Sequence, residues 1–82
     1  MTTTTRLDQA QVAVLASLVP GGILDVESIA RSARLTMWRT RNAVSELSSR
    51  GLIVGRQRGG RGTWEITDRG RRTLSTRGRY YR

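Results

Sequence analysis

The stretch that decides the fold runs Leu35-Thr-Met-Trp-Arg-Thr-Arg-Asn-Ala-Val-Ser-Glu-Leu-Ser-Ser-Arg-Gly-Leu-Ile53. Thr36 is a favoured helix N-cap residue and Gly51 is the residue type that commonly follows a helix, so the stretch predicts a helix over 36–50. Four of its residues recur at helical spacing and are expected to face the core: Thr40, Ala43, Val44 and Leu47.

The opposite side of this predicted helix is polar and basic. Asparagine pairs with adenine edges, arginine pairs with guanine edges, and a tryptophan packs on thymine methyl groups or sugars. The alternative is an ordinary solvated face, with Trp38 folded back onto the edge of the core. We favour a base-reading surface in the DNA major groove, whose candidate residues are Thr36, Trp38, Arg39, Arg41, Asn42 and Ser45.

A glycine- and arginine-rich hairpin is predicted directly after this helix. The β-prone runs 52–54 and 63–67 bracket a loop over 55–62, where glycines permit close approach of the backbone to a ligand. A merely flexible loop would explain the glycines but not the arginines, which have no acid in reach of the tip. We expect a contact with phosphate or the minor groove from Arg56, Arg58 and Arg61.

Three further helices are predicted from caps and apolar spacing. Asp8 begins the first, with Gln11 placed for a capping box, and the residues expected to face inward are Val12, Leu15, Ala16 and Val19. Asp25 caps a short second helix, preceded by Ile23-Leu24, a pair suited to a single strand bridge. Thr67 caps the last helix, from Asp68 to about Ser75, in whose interior Gly70 is expected to cost about 1 kcal/mol and cause fraying.

Charge is distributed unevenly along the 82 residues, a length that fits one domain. The net charge is +9, every basic residue is arginine, and ten of the fifteen arginines fall in residues 50–82 beside two acids. An arginine-rich codon usage would explain the absence of lysine but not this placement. The asymmetry indicates a polyanionic partner, with nucleic acid preferred over an anionic membrane surface.

Several function classes are disfavoured by composition. Without cysteine or histidine there are no disulfides, no thiolate or imidazole metal ligands and none of the usual nucleophile–base pairs, so we expect no enzyme activity, no catalytic residues, no metal and no cofactor. The longest apolar run, 12–19, is shorter than the roughly 20 residues that span a bilayer. No secretory signal is evident, and we expect a cytoplasmic protein, nucleoid-associated or in a host cytoplasm.

The predicted organisation has three parts: a flexible arm over 1–6, a domain over 7–76 and a basic aromatic tail over 77–82. The tail is compatible with three roles, namely a DNA backbone contact, a dimer contact, or disorder in the free protein. If it contacts DNA, its contributing residues are Arg77, Arg79 and Arg82.

Residues 24–74 resemble the winged helix-turn-helix core of the MarR regulator family. Three phrases carry the resemblance: Leu-Asp-Val-Glu-Ser-Ile-Ala at 24–30, the stretch 35–53 ending in Arg-Gly-Leu-Ile, and Ile-Thr-Asp-Arg-Gly-Arg at 66–71. The resemblance implies an α+β, mostly helical fold with a three-helix core, a β-hairpin wing and a short C-terminal helix. It places helix 36–50 in the major groove and the 55–62 wing on the backbone or the minor groove.

Two departures from that family shape the expectations. The sequence stops at residue 82 without the long helices that form the family's dimer and ligand pocket, so no small-molecule effector is expected. The wing is also short and rich in glycine. A minimal module of the kind found in phages and mobile elements is the nearer match in architecture.

The leading hypothesis is a sequence-specific binder of double-stranded DNA that acts as a small, repressor-like transcriptional regulator. A homodimer or cooperative neighbours would help specificity, since one small domain makes few base contacts. The alternatives are an architectural DNA-binding protein in recombination or packaging, and a winged-helix protein-interaction module.

Overall fold

Three helices, an antiparallel hairpin and a fourth helix make up the fold. The computed structural model describes residues 7–58 and 61–80, with side chains for 7–56 and 62–75. The elements are α1 Gln9–Leu18, α2 Val26–Ala33, α3 Met37–Ser49, β1 Ile53–Arg58, β2 Arg61–Ile66 and α4 Asp68–Tyr80. This α+β, mostly helical order is the winged-helix order predicted from the sequence.

Side-chain caps begin the first three helices at the predicted residues. At α1 the capping box is complete, because Asp8 Oδ1 accepts the Gln11 N–H at 2.8 Å and Gln11 Oε1 accepts the Asp8 N–H at 3.1 Å. Asp25 caps α2 and Thr36 caps α3 through their side-chain oxygens. Each cap satisfies an amide that the helix leaves unpaired and contributes about 1 kcal/mol.

The core lies where α1, α2 and α3 meet beneath the hairpin. All four residues predicted to face inward on α3 are buried. The stripe predicted on α1 is partly wrong: Val14 and Leu18 are fully buried, whereas Ala16 is exposed and Val12 and Val19 are only partly buried. The capping box turns Gln11 inward, and the buried face therefore follows that residue by helical periodicity through 14, 15 and 18.

Pairing in the hairpin extends much further than predicted. The register runs from Ile53 opposite Ile66 to Arg58 opposite Arg61, so most of the predicted 55–62 loop is paired strand. Gly55 lies opposite Trp64, and a Cβ there would come within 2.9 Å of the indole. This glycine therefore makes room for the tryptophan. The predicted bridge at Leu24 is confirmed, with Leu24 and Trp64 exchanging two backbone hydrogen bonds of 3.1 and 2.8 Å.

The backbone carbonyls of Gly51 and Leu52 join the end of α3, the start of β1 and the start of α4. The Leu52 carbonyl accepts the Thr67 N–H at 3.1 Å, and Thr67 Oγ1 lies 2.9 Å from Gly51 O and 3.0 Å from Leu52 O. The same hydroxyl accepts the Gly70 N–H at 3.0 Å, which makes Thr67 the predicted cap of α4. Gly51 takes a φ of +76°, as expected of a glycine after a helix.

The last helix differs from its prediction in length and in the role of Gly70. It continues to Tyr80 rather than ending near Ser75. Gly70 is buried, and a Cβ there would lie 2.2 Å from the Leu52 carbonyl oxygen. The glycine is thus a packing requirement rather than a weak point. The predicted arm over 1–6 and Arg82 of the predicted tail lie outside the described residues.

The sign of the change in the free energy of unfolding caused by Gly70→Ala tests this packing. Alanine normally stabilises a helix interior relative to glycine by about 1 kcal/mol, yet we expect Gly70→Ala to lower the free energy of unfolding by about 1–3 kcal/mol through the clash with Leu52. Urea denaturation measures it. Gly62→Ala is the matched control, because its Cβ would meet nothing within 4 Å. A stabilised Gly70→Ala variant would contradict the packing described.

Candidate nucleic-acid interface

The turn between α2 and α3 is made without glycine. Arg34 ends α2 in the left-handed region, with φ 59° and ψ 46°, and the Leu35 N–H donates to the Ala30 carbonyl at 3.0 Å. Thr36 follows at once as the cap of α3. This short connection is the helix-turn-helix arrangement, in which the second helix is presented outward by the first.

The outer face of α3 is a ridge of exposed polar and aromatic residues. Trp38 is 74% exposed, which rules out the alternative that it folds back onto the core. The other candidates on the helix are exposed as well: Arg39, Arg41, Asn42 and Ser45. Their exposure follows from the burial of the opposite stripe, so the predicted placement of these side chains is confirmed.

The arginines differ in how they are engaged. Arg39 and Arg41 form no ion pair within the described part of the chain. Arg56, by contrast, lies 3.4 Å from Glu65 through Nε, although the sequence predicted arginines with no acid in reach of the loop tip. Both side chains of this pair are partly exposed, so the pair is worth at most about 1 kcal/mol. Arg58 and Arg61 are the last described pair of the hairpin, and their side chains lie outside the described set.

A groove separates the exposed face of α3 from the base of the hairpin. Ser48, Ser49 and Trp64 contribute to it, and none of them was among the predicted interface residues. Its lining places Trp64 of β2 alongside the flank of α3 that carries Arg41, Ser45 and Ser48. The lining residues are Val26, Arg41, Val44, Ser45, Ser48, Ser49 and Trp64.

A smaller pocket of about 210 Å³ lies on the other flank of α3, against the start of α1. It was not predicted, because its walls come from two helices whose packing the sequence pattern does not specify. Its lining residues are Asp8, Ala10, Gln11, Trp38, Arg39, Asn42, Ala43 and Glu46.

The described residues contain neither a cluster of metal-ligand side chains nor a membrane-spanning helix. Within 7–58 and 61–80, no three acidic, cysteine or histidine side chains come together as a metal site. Across the same ranges, no helix has both the length and the apolar character needed to cross a bilayer.

Comparison with solved structures shows which fold this is. PcaV from Streptomyces coelicolor superposes with a TM-score of 0.78 at 29% identity, over 84% of this chain and 51% of PcaV. BpsR from Bordetella bronchiseptica superposes at 0.80 with 20% identity, over 85% of this chain and 52% of BpsR. A MarR-family regulator from Silicibacter pomeroyi DSS reaches 0.83 with 22% identity, over 95% and 52%.

The chain has the winged-helix fold of MarR-family transcriptional regulators. It spans about half the length of the three solved structures. All three are regulators and none is an enzyme, in agreement with the prediction. No protein-family model matches the sequence, and no curated protein is significantly similar to it.

These winged-helix structures overturn one expectation. The PcaV structure contains that protein's natural ligand, and the BpsR structure concerns regulation of its DNA binding by 6-hydroxynicotinic acid. The fold described here therefore occurs in regulators that bind small molecules. The expectation that no small-molecule effector is involved is wrong.

Thr36 offers a test that separates folding from binding in this winged helix. Its Oγ1 accepts the Arg39 N–H at 3.1 Å, so we expect Thr36→Ala to lower the free energy of unfolding by about 1 kcal/mol. Thr36→Asp keeps the cap but adds a negative charge, and we expect it to retain stability while weakening DNA retardation. Equal DNA retardation by the wild type and the Asp variant would remove Thr36 from the interface.

Proposed function

We propose that this domain binds double-stranded DNA sequence-specifically and serves as a small, repressor-like transcriptional regulator. In this proposal α3 enters the major groove and the 55–62 wing contacts the backbone or the minor groove. The observation that carries it is the exposed ridge of α3, where an indole and an amide stand between two arginines that make no described ion pair. The regulatory role is supported by the regulators that share the fold.

The geometry supports a division of labour between positioning and reading. In the proposal, the groove between α3 and the wing base receives the phosphate strand that separates a major groove from its neighbouring minor groove. Arg41, Ser45 and Ser48 supply a guanidinium and two hydroxyls along it, all suited to phosphate oxygens. Asn42 and Trp38 lie on the outer ridge, where base edges would be met.

The wing and tail arginines differ in the contribution to DNA binding that we propose for them. Arg58 and Arg61 supply charge near the turn of the hairpin, whereas the charge of Arg56 is partly offset by Glu65, which lies 3.4 Å from its Nε. Arg77 and Arg79 lie on α4, which packs against α1. With Arg82, these tail residues would follow the backbone beyond the site.

Small-molecule control and location complete the proposal. BpsR shows that DNA binding by this fold can respond to a small molecule, and we extend that property to this chain. Binding to chromosomal or phage DNA would place the protein in the cytoplasm, as predicted from the sequence. The similarity in architecture to a minimal module of phages and mobile elements stays a prediction.

Salt dependence tests the phosphate contacts. Each neutralised phosphate contributes about −0.9 to the slope of log K against log salt, so we expect Arg41→Ala to flatten the slope by about 0.9 on any duplex. Fluorescence anisotropy at several salt concentrations measures it. Arg72→Ala removes an exposed charge on α4 and is expected to leave the slope unchanged. Equal slopes for wild type and Arg41→Ala would place Arg41 outside the interface.

Base reading is tested by selecting bound sequences from a random duplex pool. We expect one enriched motif, and we expect Asn42→Ala to lower affinity for it by about 1–3 kcal/mol while leaving binding to scrambled DNA intact. A pool without enrichment, with extended protection in footprints, would favour the architectural alternative. No DNA retardation even at low salt would favour the protein-interaction module.

A further inference from the structure

Arg34, in the turn between α2 and α3, has a backbone conformation that favours glycine. Its φ of 59° and ψ of 46° lie in the left-handed region, where the Cβ of an L-residue crowds the backbone and raises the free energy of the folded state. The two other residues with positive φ in the described chain are both glycines, Gly21 after α1 and Gly51 after α3. Arg34 is the exception, and it is the one of the three that directly precedes α3.

Backbone hydrogen bonds hold the turn in this conformation. The Arg34 N–H donates to the carbonyls of Ala30 and Arg31. The Leu35 N–H donates to the Ala30 carbonyl at 3.0 Å, and Thr36 then begins α3. None of these bonds involves the side chain of Arg34, so a glycine could make all of them without the cost of a Cβ.

Interactions within the described part of the fold do not account for an arginine at this position. The Arg34 side chain is exposed, and it forms no ion pair with any side chain that the structure describes. The negative end of α2 already has a basic residue, because Arg31 lies in its last turn. Residues held in strained backbone conformations cluster at functional sites, so a ligand of the Arg34 guanidinium is expected outside the chain.

We propose that Arg34 binds a phosphate of the DNA backbone at the end of α3 where that helix begins. This assignment rests on the proposed function, in which α3 enters the major groove. Arg34 precedes the cap of α3 by two residues, and the exposed Thr36 and Trp38 lie at the same end of the helix. Arg34 does not line the groove beside Arg41, so its phosphate differs from those that the groove receives. A planar, permanently charged guanidinium suits this contact through its paired N–H donors.

The assignment gives Arg34 opposite effects on folding and on binding. Its Cβ strains the turn, whereas its guanidinium stabilises the complex with DNA. Replacement by glycine is therefore expected to raise thermal stability and to weaken DNA binding in the same variant. A residue that serves the fold alone would not show this combination.

Three substitutions of Arg34 separate the backbone strain from the charge. Arg34→Gly removes both, and we expect its thermal unfolding midpoint, followed by circular dichroism, to rise by about 3–6 °C. Arg34→Ala removes only the charge, because alanine keeps the Cβ, and its midpoint is expected to stay within about 2 °C of the wild type. Arg34→Lys keeps both the Cβ and the charge.

The salt dependence of duplex binding, measured by fluorescence anisotropy, tests the phosphate contact. We expect Arg34→Gly and Arg34→Ala to flatten the slope of log K against log salt by about 0.9, and Arg34→Lys to keep the wild-type slope. Arg72→Ala is the matched control, because it removes an exposed arginine charge on α4 and is expected to leave the slope unchanged. Because the two phosphates differ, Arg34→Ala combined with Arg41→Ala is expected to flatten the slope by about 1.8.

The outcomes distinguish this assignment from the proposed function. Equal slopes for the wild type and Arg34→Ala, on a duplex that the wild type binds, would overturn the phosphate contact and leave DNA binding standing. A wild type that binds no duplex even at low salt would refute the proposed function, and this assignment with it. A midpoint of Arg34→Gly at or below the wild-type value would show that Arg34 does not strain the fold, and the opposite effects on stability and affinity would then be refuted.

Discussion

Burial of one face of α3 is the constraint on which the rest of the structure depends. Ala43, Val44 and Leu47 pack into the core, and Thr40 joins them with no exposed surface. A threonine is tolerated there because its Oγ1 donates to the Thr36 carbonyl at 2.8 Å, which satisfies the hydroxyl within the helix. Because that face is buried, the ridge on the opposite face of the helix is exposed to solvent.

Local chemistry explains why much of the fold was readable from the sequence. Helix starts depend on one oxygen and an amide a few residues away, so Asp8, Asp25 and Thr36 identify them without knowledge of the rest of the chain. The exposed ridge was predictable for a related reason: a single helix with a clear apolar stripe defines both of its faces. The bridge at Leu24 was also predictable, because the apolar pair Ile23-Leu24 is too short for a helix or a full strand but suits a single bridge.

Contacts between distant segments account for what sequence reasoning missed. From the sequence, Gly70 is expected to destabilise its helix. In the structure it is required there, because the Leu52 carbonyl leaves no space for a Cβ. The Arg56–Glu65 pair depends on a strand register that no local pattern specifies. On α1, alanines and valines alternate too evenly for composition to identify the buried face. The capping box identifies it, because it turns Gln11 toward the core. The pocket beside Gln11 likewise exists only once α1 and α3 have packed.

The attachment of the hairpin has a consequence for how such a domain can diversify. In the described chain the hairpin is anchored at its base, by the Leu24–Trp64 bridge and by the indole lying over Gly55. Strand positions beyond Gly55 are removed from those anchors. Substitutions that change charge near the turn can therefore alter the affinity for a ligand during evolution. They leave the contacts that stabilise the fold unchanged.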